Sequence, residues 1–180
     1  MIAMPIMAIL ALVVTQFLIS SSQGLATIRA MQLIESVLSR AMQEINSDIR
    51  QASSPSLTGC DALGTHYTTG TTTVCMTVPS LDAQGNAIPS QGDVLVYTYN
   101  AAAGTLTRIV DANASSWNPS FRMAGQTVIA RDLSNVTFVV RNRASRWSIT
   151  TTLTGTRTEQ GRPYSQTLVS QARLRNTLTS

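Results

Sequence analysis

The stretch MIAMPIMAILALVVTQFLISSSQGLATI, residues 1–28, decides the fold of this chain and carries no charged side chain. Apart from Pro5, Thr15 and Gln16, its first 19 residues are all apolar. At 1.5 Å of rise per residue, about 19 helical residues span roughly 29 Å, which is close to the hydrocarbon thickness of a bilayer. The stretch therefore predicts a helical segment that is apolar on every side.

The first charge is Arg29, and from there the apolar residues narrow to a stripe with helical spacing. The stripe consists of Ile28, Met31, Ile34, Leu38, Ala41, Ile45 and Ile49, with Arg40, Glu44 and Asp48 expected on the other side. The helix ends before Pro55, because the residue preceding a proline disfavours helical backbone. We expect one helix of about 50 residues by this pattern, with an apolar half at 1–28 and an amphipathic half at 29–52.

Residues 53–180 predict a β-rich head domain. The segment 53–92 has loop composition with one short strand at 73–79, which Pro79 ends, and 81–93 has turn chemistry throughout. Alternating patterns predict further strands over residues 93–100, 105–111, 127–132, 136–142, 146–156 and 164–176. A polar excursion at 113–126 follows the second of these strands, and a turn at 155–163 precedes the last.

Short connections between successive strands are typical of an antiparallel sheet that packs one face on a helix. The only long helix available to it is the amphipathic half described above. We expect the helix-to-sheet contacts to come from Ile34, Leu38, Ile45 and Ile49. The predicted fold class is α+β, with one long N-terminal helix packed by its C-terminal half on an antiparallel β-sheet head.

The two cysteines, Cys60 and Cys75, enclose a loop of about 15 residues rich in Gly and Thr. Such a pair favours a disulfide worth about 3 kcal/mol, which would place the head outside the cytoplasm. The alternative is two unrelated buried thiols. The chain has no CxxC motif and a single histidine, His66, so it predicts no metal site and no cofactor.

All 13 basic residues are arginines, and the net charge is +4 with a pI near 9.7. The arginines are scattered from 29 to 175, with one local group at Arg141, Arg143 and Arg146. This distribution favours a solvated, mildly basic surface over a nucleic-acid partner. No direct nucleic-acid site is identifiable from the sequence.

No catalytic or nucleotide-binding motif is present: G-x-S-x-G, G-x-G-x-x-G, a Walker loop and H-E-x-x-H are all missing. His66, in a Gly/Thr-rich loop, is expected to be a surface polar residue rather than a general base. Asp93, Asp111 and Asp132 are expected at strand ends, where carboxylates cap turns. The sequence therefore predicts no enzymatic activity.

No basic residue precedes the apolar run, whereas a signal peptide has a basic stretch there and a single-span anchor usually has one on its cytoplasmic flank. This pattern favours a mature N-terminus at Met1, produced by removal of a basic leader.

Four segments carry a resemblance to a known family: INSDIRQAS (45–53), VLVYTYNAAAGTLTRIV (94–110), VIARDLSNVTFVVRN (128–142) and ARLRN (172–176). With the apolar front helix, they make the chain similar to type IV pilins and pseudopilins, the filament subunits of type IV pili and type II secretion systems. The resemblance is closest to W-class minor pilins and J-class minor pseudopilins.

The resemblance implies cleavage by a prepilin peptidase and N-methylation of the first residue, here Met1. The chain departs from the family at the fifth position, where Pro5 replaces the usual glutamate, and no acid precedes Glu35. That glutamate is thought to pair with a neighbour's terminal amine in the family's filaments. Proline itself is tolerated in the first turn of a helix.

The resemblance also implies a structural role, with this chain held in a bacterial inner membrane before assembly and in a cell-surface filament afterwards. Its partners would be copies of itself, other pilin-like subunits and the inner-membrane assembly machinery. Packing in the filament core is expected from Ile2, Ile6, Ile9, Leu10, Val13, Val14, Phe17 and Leu18.

Three functional hypotheses stay open. The first is a filament subunit for adhesion, motility or DNA uptake. The second is a minor subunit that primes or caps such a filament in secretion or DNA uptake. The third is a single-span membrane protein with an extracytoplasmic binding domain.

Overall fold

The computed structural model describes residues 3–113, 119–143 and 146–174, with side chains from Leu12 onward. The fold is α+β: one long N-terminal helix, α1 (Ala3–Gln51), packs on antiparallel sheets. This arrangement is consistent with a pilin-like fold. At 1.5 Å per residue, the 49 residues of α1 extend about 74 Å.

Ten strands follow the helix in the described part of the chain. They are β1 (Ser54–Ser56), β2 (Gly59–Ala62), β3 (Thr65–Thr68), β4 (Thr73–Leu81), β5 (Ala87–Asn100), β6 (Thr105–Asp111), β7 (Gly125–Ala130), β8 (Leu133–Arg143), β9 (Arg146–Glu159) and β10 (Arg162–Arg173).

The strands form three sheets rather than one. The first has five strands in the order β1-β4-β5-β6-β7, the second has three in the order β10-β9-β8, and the third is the hairpin β2-β3. Every described strand pair is antiparallel, as the sequence pattern predicted. A single apolar core joins the back half of α1 to the inner faces of the two larger sheets.

The helix lies mainly on β9 and β10 of the three-stranded sheet. Along β10, the Tyr164 hydroxyl lies 2.9 Å from Thr27 Oγ1, and the Asn46 amide donates to Ser170 Oγ at 2.9 Å. Gly155 on β9 allows a close approach of the helix, since a Cβ at that position would lie 2.8 Å from Cγ2 of Ile34. A larger side chain there would separate the helix from the sheet.

The segment 53–92, which was expected to be mostly loop, contains more strand than predicted. It forms β1, β2 and β3, and β4 continues through Pro79 to Leu81 instead of ending at the proline. Pro79 fits because the ladder with β5 is irregular between it and Leu81, and a proline, which has no N–H, is tolerated at such a bulge.

Turn chemistry occupies only residues 82–86 of the predicted stretch, since β5 begins at Ala87. Asp82 organises this turn by accepting backbone hydrogen bonds from Gln84 and Asn86 at 2.9 and 2.7 Å. Those bonds, the one from Asn86 above all, lower the pKa of Asp82. The turn chemistry was therefore read correctly, but its length was overestimated.

The last two strands are longer toward their shared turn than predicted. β9 runs to Glu159 and β10 begins at Arg162, so the turn is only Gln160-Gly161, and both residues have positive φ. A two-residue turn of this kind matches the twist of the flanking strands. β10 ends at Arg173, and the predicted extension beyond residue 174 lies outside the described residues.

The outer face of the five-stranded sheet is covered by the small β2-β3 hairpin. A disulfide joins Cys60 on β2 to Cys75 on β4, with Cα atoms 6.1 Å apart. Around it, Ala62, Val96 and Ile109 form a second, smaller apolar cluster. The predicted disulfide therefore fastens a hairpin that has little core of its own.

Candidate assembly interface

The front of α1 projects beyond the head with its apolar side chains exposed. Every described side chain from Leu12 to Leu25 is exposed, and Thr27, at Tyr164, is the first helix residue shown bonded to the head. Leu12 and Phe17 expose 69% and 70% of their surface. We call residues 12–25 the projecting segment.

Of the residues expected in a filament core, four lie in the projecting segment with described side chains. Val13, Val14, Phe17 and Leu18 are all exposed there. Their positions, together with Leu12 and Ile19, point in all directions around the helix axis, because successive residues differ by about 100°. The predictions for Met1, Ile2, Ile6, Ile9 and Leu10 fall outside the described side chains.

The buried face of the helix begins later than the sequence pattern predicted. Ile28 and Met31, expected in the apolar stripe, are about half exposed, and the first fully buried residue is Ala30. The reason is that the helix reaches the sheet only near Tyr164, close to the end of β10. The residues expected to contact the sheet, Ile34, Leu38, Ile45 and Ile49, are all buried in the main core.

Asp48 was expected on the solvent side of the helix, and this was wrong. It is 6% exposed and faces β5 and β6. Its Oδ2 accepts hydrogen bonds from the Tyr97 hydroxyl at 2.6 Å and from Arg108 Nε at 2.7 Å. Arg108 Nε also lies 3.5 Å from Glu44 Oε1. Tyr97 and Arg108 are direct partners across the β5-β6 ladder, which is why they reach the same carboxylate.

The electrostatics of this junction follow from its burial. Burial, and next the negative charge of Asp48, raise the pKa of Tyr97 well above its ordinary value of 10.0. Burial opposes the charge of Arg108, but the hydrogen bond and charge of Asp48 outweigh it, so the pKa of Arg108 is raised. The junction therefore holds a neutral phenol and a charged guanidinium on one carboxylate.

A sequence signal for this role of Asp48 existed. It lies three residues after Ile45 and seven after Ala41, which places it at the edge of the buried stripe. Its partners on β5 and β6 could not be read from that spacing.

Asp93 was expected to cap a strand end, and this was also wrong. It lies inside β5 and is fully buried. Its oxygens accept from Ser80 Oγ at 2.7 Å, Asn113 N at 2.8 Å, Ser120 Oγ at 2.7 Å and Arg122 Nε at 3.2 Å. Asp93 therefore ties both described ends of the polar excursion to β5, the central strand of the five-stranded sheet.

The other carboxylates singled out from the sequence have local roles. Asp111, the last residue of β6, accepts a hydrogen bond from the backbone of Leu63 at 2.9 Å. Asp132 lies in the connection between β7 and β8 with φ of 60°. His66 is exposed, and its Nδ1 lies 2.8 Å from Asp61 Oδ1.

Within the part of the chain that is described, no helical segment is long and apolar enough to cross a membrane. The same residues contain no group of three or more His, Cys, Asp or Glu side chains placed to hold a metal ion. No known protein family matches the chain, and no curated protein and no solved structure is significantly similar to it.

Proposed function

We propose that this chain is a structural subunit of a type IV pilus-like filament, assembled through the front of α1. The observation that carries the proposal is the projecting segment, whose apolar side chains are exposed on every side of the helix. A helix that is apolar all round is stable only when it is buried. The part of the chain that the structure describes does not bury it.

The energy involved is large on the scale of one subunit. Fully burying a Leu, Val, Ile or Phe side chain is worth about 1.5–3 kcal/mol, so the six apolar residues between Leu12 and Ile19 would contribute on the order of 10 kcal/mol. Exposed apolar surface of this extent marks a site of association with protein or membrane. Leu25 and Ile28 continue the exposed surface toward the head.

Copies of the same segment are the partner that fits best. The segment lies in the front part of a rod whose other part carries the head, so copies can pack their front segments together with the heads outward. Contacts between unlike faces of identical subunits generate an open helical filament when the rotation between neighbours does not close a ring. Before assembly, the inner membrane would hold the same segment, since both surroundings are apolar.

The alternative roles fit the same geometry less fully. A minor subunit would use the same segment within a filament built mainly of other pilin-like chains. A single-span membrane protein would need the apolar front but not the long rigid extension of α1 into the head. We assign the chain no catalytic role.

The test compares two exposed phenylalanines. Phe17 lies in the projecting segment at 70% exposure, and Phe121 lies on the head at 65% exposure. The full chain is purified in a non-ionic detergent, the detergent is removed by dialysis, and the product is examined by electron microscopy. We expect fibres from the wild type and from Phe121→Arg, and none from Phe17→Arg, because an arginine in an apolar core is costly to bury.

Two results would count against the proposal. One is a wild-type chain that stays monomeric in added lipid vesicles and never forms fibres, which supports the membrane-anchored alternative. The other is fibre formation by Phe17→Arg equal to that of Phe121→Arg. Near-ultraviolet circular dichroism of each variant in detergent verifies that the head is folded.

A further inference from the structure

The strand β10 forms one edge of the three-stranded sheet and is the longest edge strand in the described part of the chain. It runs for 12 residues and pairs with β9 without any shift of register. α1 covers its inner face, and no other described element makes more than marginal contact with it. We call the side of β10 that points away from β9 the free edge.

The ladder between β9 and β10 shows which backbone groups point to the free edge. Leu174 N donates to Trp147 O at 3.1 Å, and the register, continued by one residue beyond Arg173, places these two residues opposite one another. In an antiparallel pair, opposite residues that exchange hydrogen bonds alternate with opposite residues that do not. The residues whose N–H and C=O groups point to the free edge are therefore Ser165, Thr167, Val169, Gln171 and Arg173.

These outward backbone groups make no hydrogen bond to another described residue. Pro163, which has no N–H, occupies the next outward position along the strand. Proline is tolerated in a sheet where its nitrogen faces solvent at an edge, so its position agrees with this assignment. The free edge thus offers a row of unpaired donors and acceptors.

The other described edge strands are short or covered. β1 has three residues, β2 and β3 have four each, and β7 has six. On β8, Leu133 N donates to Gly104 O at 3.0 Å and Phe138 N donates to Thr71 O at 2.7 Å. Folded proteins avoid long uncovered edges because such edges pair with other chains. The open edge of β10 is therefore a candidate docking surface.

The side chains at one end of the free edge are positively charged. Arg173 borders an open cavity of about 350 Å³ together with three arginines of β8 and β9, Arg141, Arg143 and Arg146. All nine acidic residues belong to the described part of the chain, and none of them lines this cavity or lies on β10. This end of the edge therefore has a positive potential that favours an acidic partner.

A second copy of β10 fits the free edge poorly. β10 and α1 run in the same direction, since Thr27 contacts Tyr164 and Asn46 contacts Ser170. Antiparallel pairing of two β10 strands would therefore point the two helices in opposite directions and separate their projecting segments. It would also bring no carboxylate to Arg173, because β10 contains no acidic residue.

We propose that the free edge of β10 binds an extended, acid-bearing segment of another protein, which joins the sheet as an antiparallel strand. Main-chain hydrogen bonds to the outward groups supply the affinity, and side chains beside the strand supply the selectivity. Val169, which is 65% exposed, accepts an apolar residue opposite it, and Arg173 accepts an acidic residue four positions earlier in the segment. This binding goes beyond filament formation and does not require it.

The probe is a fluorescein-labelled peptide of nine residues, all threonine except a glutamate at the first position and a valine at the fifth. Fluorescence anisotropy measures its binding to the full chain in non-ionic detergent. With the glutamate opposite Arg173, the odd-numbered amides of the peptide face β10. We expect N-methylation of the third, fifth and seventh amides to weaken binding at least about tenfold, and N-methylation of the fourth, sixth and eighth to change it less than about threefold.

Two variants test the same hydrogen bonds from the side of the chain. Thr167→Pro removes one outward N–H and should weaken binding at least about tenfold, while its ladder with β9 is kept. Thr167→Val is the matched control and should change binding less than about threefold. Both variants lose the contact of Thr167 Oγ1 with Thr154 Oγ1 at 3.0 Å, but only the valine keeps the N–H.

The acidic preference has its own test. Arg173→Gln should weaken binding of the glutamate peptide about twofold to fivefold and leave unchanged the binding of a peptide with glutamine at that position. Arg40→Gln, which removes the same charge from an exposed position on α1, should leave the binding of both peptides unchanged. Equal binding of the two peptides to the wild type would overturn the acidic preference.

Three further results would overturn the proposal. They are no binding of the glutamate peptide to the wild type, equal losses from the two N-methylation patterns, and equal losses in the two Thr167 variants. A chain that binds no peptide but dimerises in the same detergent, through a contact that Thr167→Pro abolishes, would overturn it in favour of a second copy. Near-ultraviolet circular dichroism shows whether each variant is folded, and the N-methylated peptides test the edge without altering the chain.

Discussion

The two halves of α1 share one continuous helical backbone but stand in opposite surroundings. In the projecting segment Leu18 is 61% exposed, whereas in the back half Leu38 is completely buried against the sheet. The back half has a periodic stripe because the sheets of the head cover only one side of it. The front half has apolar residues on every side, which is the pattern of a helix surrounded by partners. The period of the pattern thus indicates whether a partner covers one face or all of them.

The largest expected effect is the difference in stability when leucine is replaced by alanine in one half of α1 or in the other. Leu38→Ala should lower the free energy of unfolding of the head by about 2–5 kcal/mol, because it removes a fully buried side chain and leaves a cavity. Leu18→Ala should change it by less than about 0.5 kcal/mol, since Leu18 does not touch the head. Chemical denaturation of the detergent-solubilised chain, followed by near-ultraviolet circular dichroism, measures both. An equal loss of unfolding free energy in the two variants would contradict the conclusion that the projecting segment does not contribute to the stability of the head.

A smaller effect is expected from the polar contact that fixes the back half to the first sheet. Asp48→Asn should cost about 2–3 kcal/mol, because it leaves the partly buried Arg108 without its close carboxylate. Glu44 is a matched control, since it is more exposed and lies 3.5 Å from Arg108 Nε rather than 2.7 Å. Glu44→Gln should cost less than about 1 kcal/mol. Chemical denaturation of both variants measures the two losses of unfolding free energy. A larger loss in Glu44→Gln than in Asp48→Asn would contradict the assignment of Asp48 as the main partner of Arg108.

The smallest effect is a pH dependence confined to the head. Since the folded-state pKa of Tyr97 is raised, the folded chain keeps the phenolic proton that the unfolded chain loses above pH 10.0. The contribution of Tyr97 is therefore complete below pH 10.0 and falls as the pH rises further, by up to about 1.4 kcal/mol per unit.

The measurement is the unfolding free energy between pH 9 and 11 for wild type and Tyr97→Phe, with a steeper fall expected in the wild type. Residues 2–28 contain no ionisable side chain, so fibre formation should depend less on pH over this range. If the unfolding free energies of the two proteins fall equally with pH, Tyr97 is not the cause of the pH dependence.

The sequence predicted the fold best where the pattern is local. The long helix, the β5-β6 hairpin and the pairing of Cys60 with Cys75 all follow from spacing, turn chemistry or residue type, and each is present. Leu95 and Tyr97, two residues apart on β5, share one face of the strand, and both are fully buried in the main core.

Prediction was poorest for residues whose role depends on distant partners. In the sequence Asp93 resembles a carboxylate that caps a turn, and only the fold brings its partners Ser80, Ser120 and Arg122 within hydrogen-bond distance. The β2-β3 hairpin was missed because its strands are four residues each, too short for an alternating pattern to distinguish them from loop.

By itself, the sequence determined that a long rod exists, that its front is apolar all round, and that a β-rich head follows. Those properties depend on residues within a few positions of one another, so periodicity carries them. Only the tertiary structure decided where the rod meets the head, that Asp48 joins Tyr97 and Arg108, and that Arg173 joins the arginines of two other strands. These are matters of register and packing between segments far apart in the chain, and no local pattern encodes them.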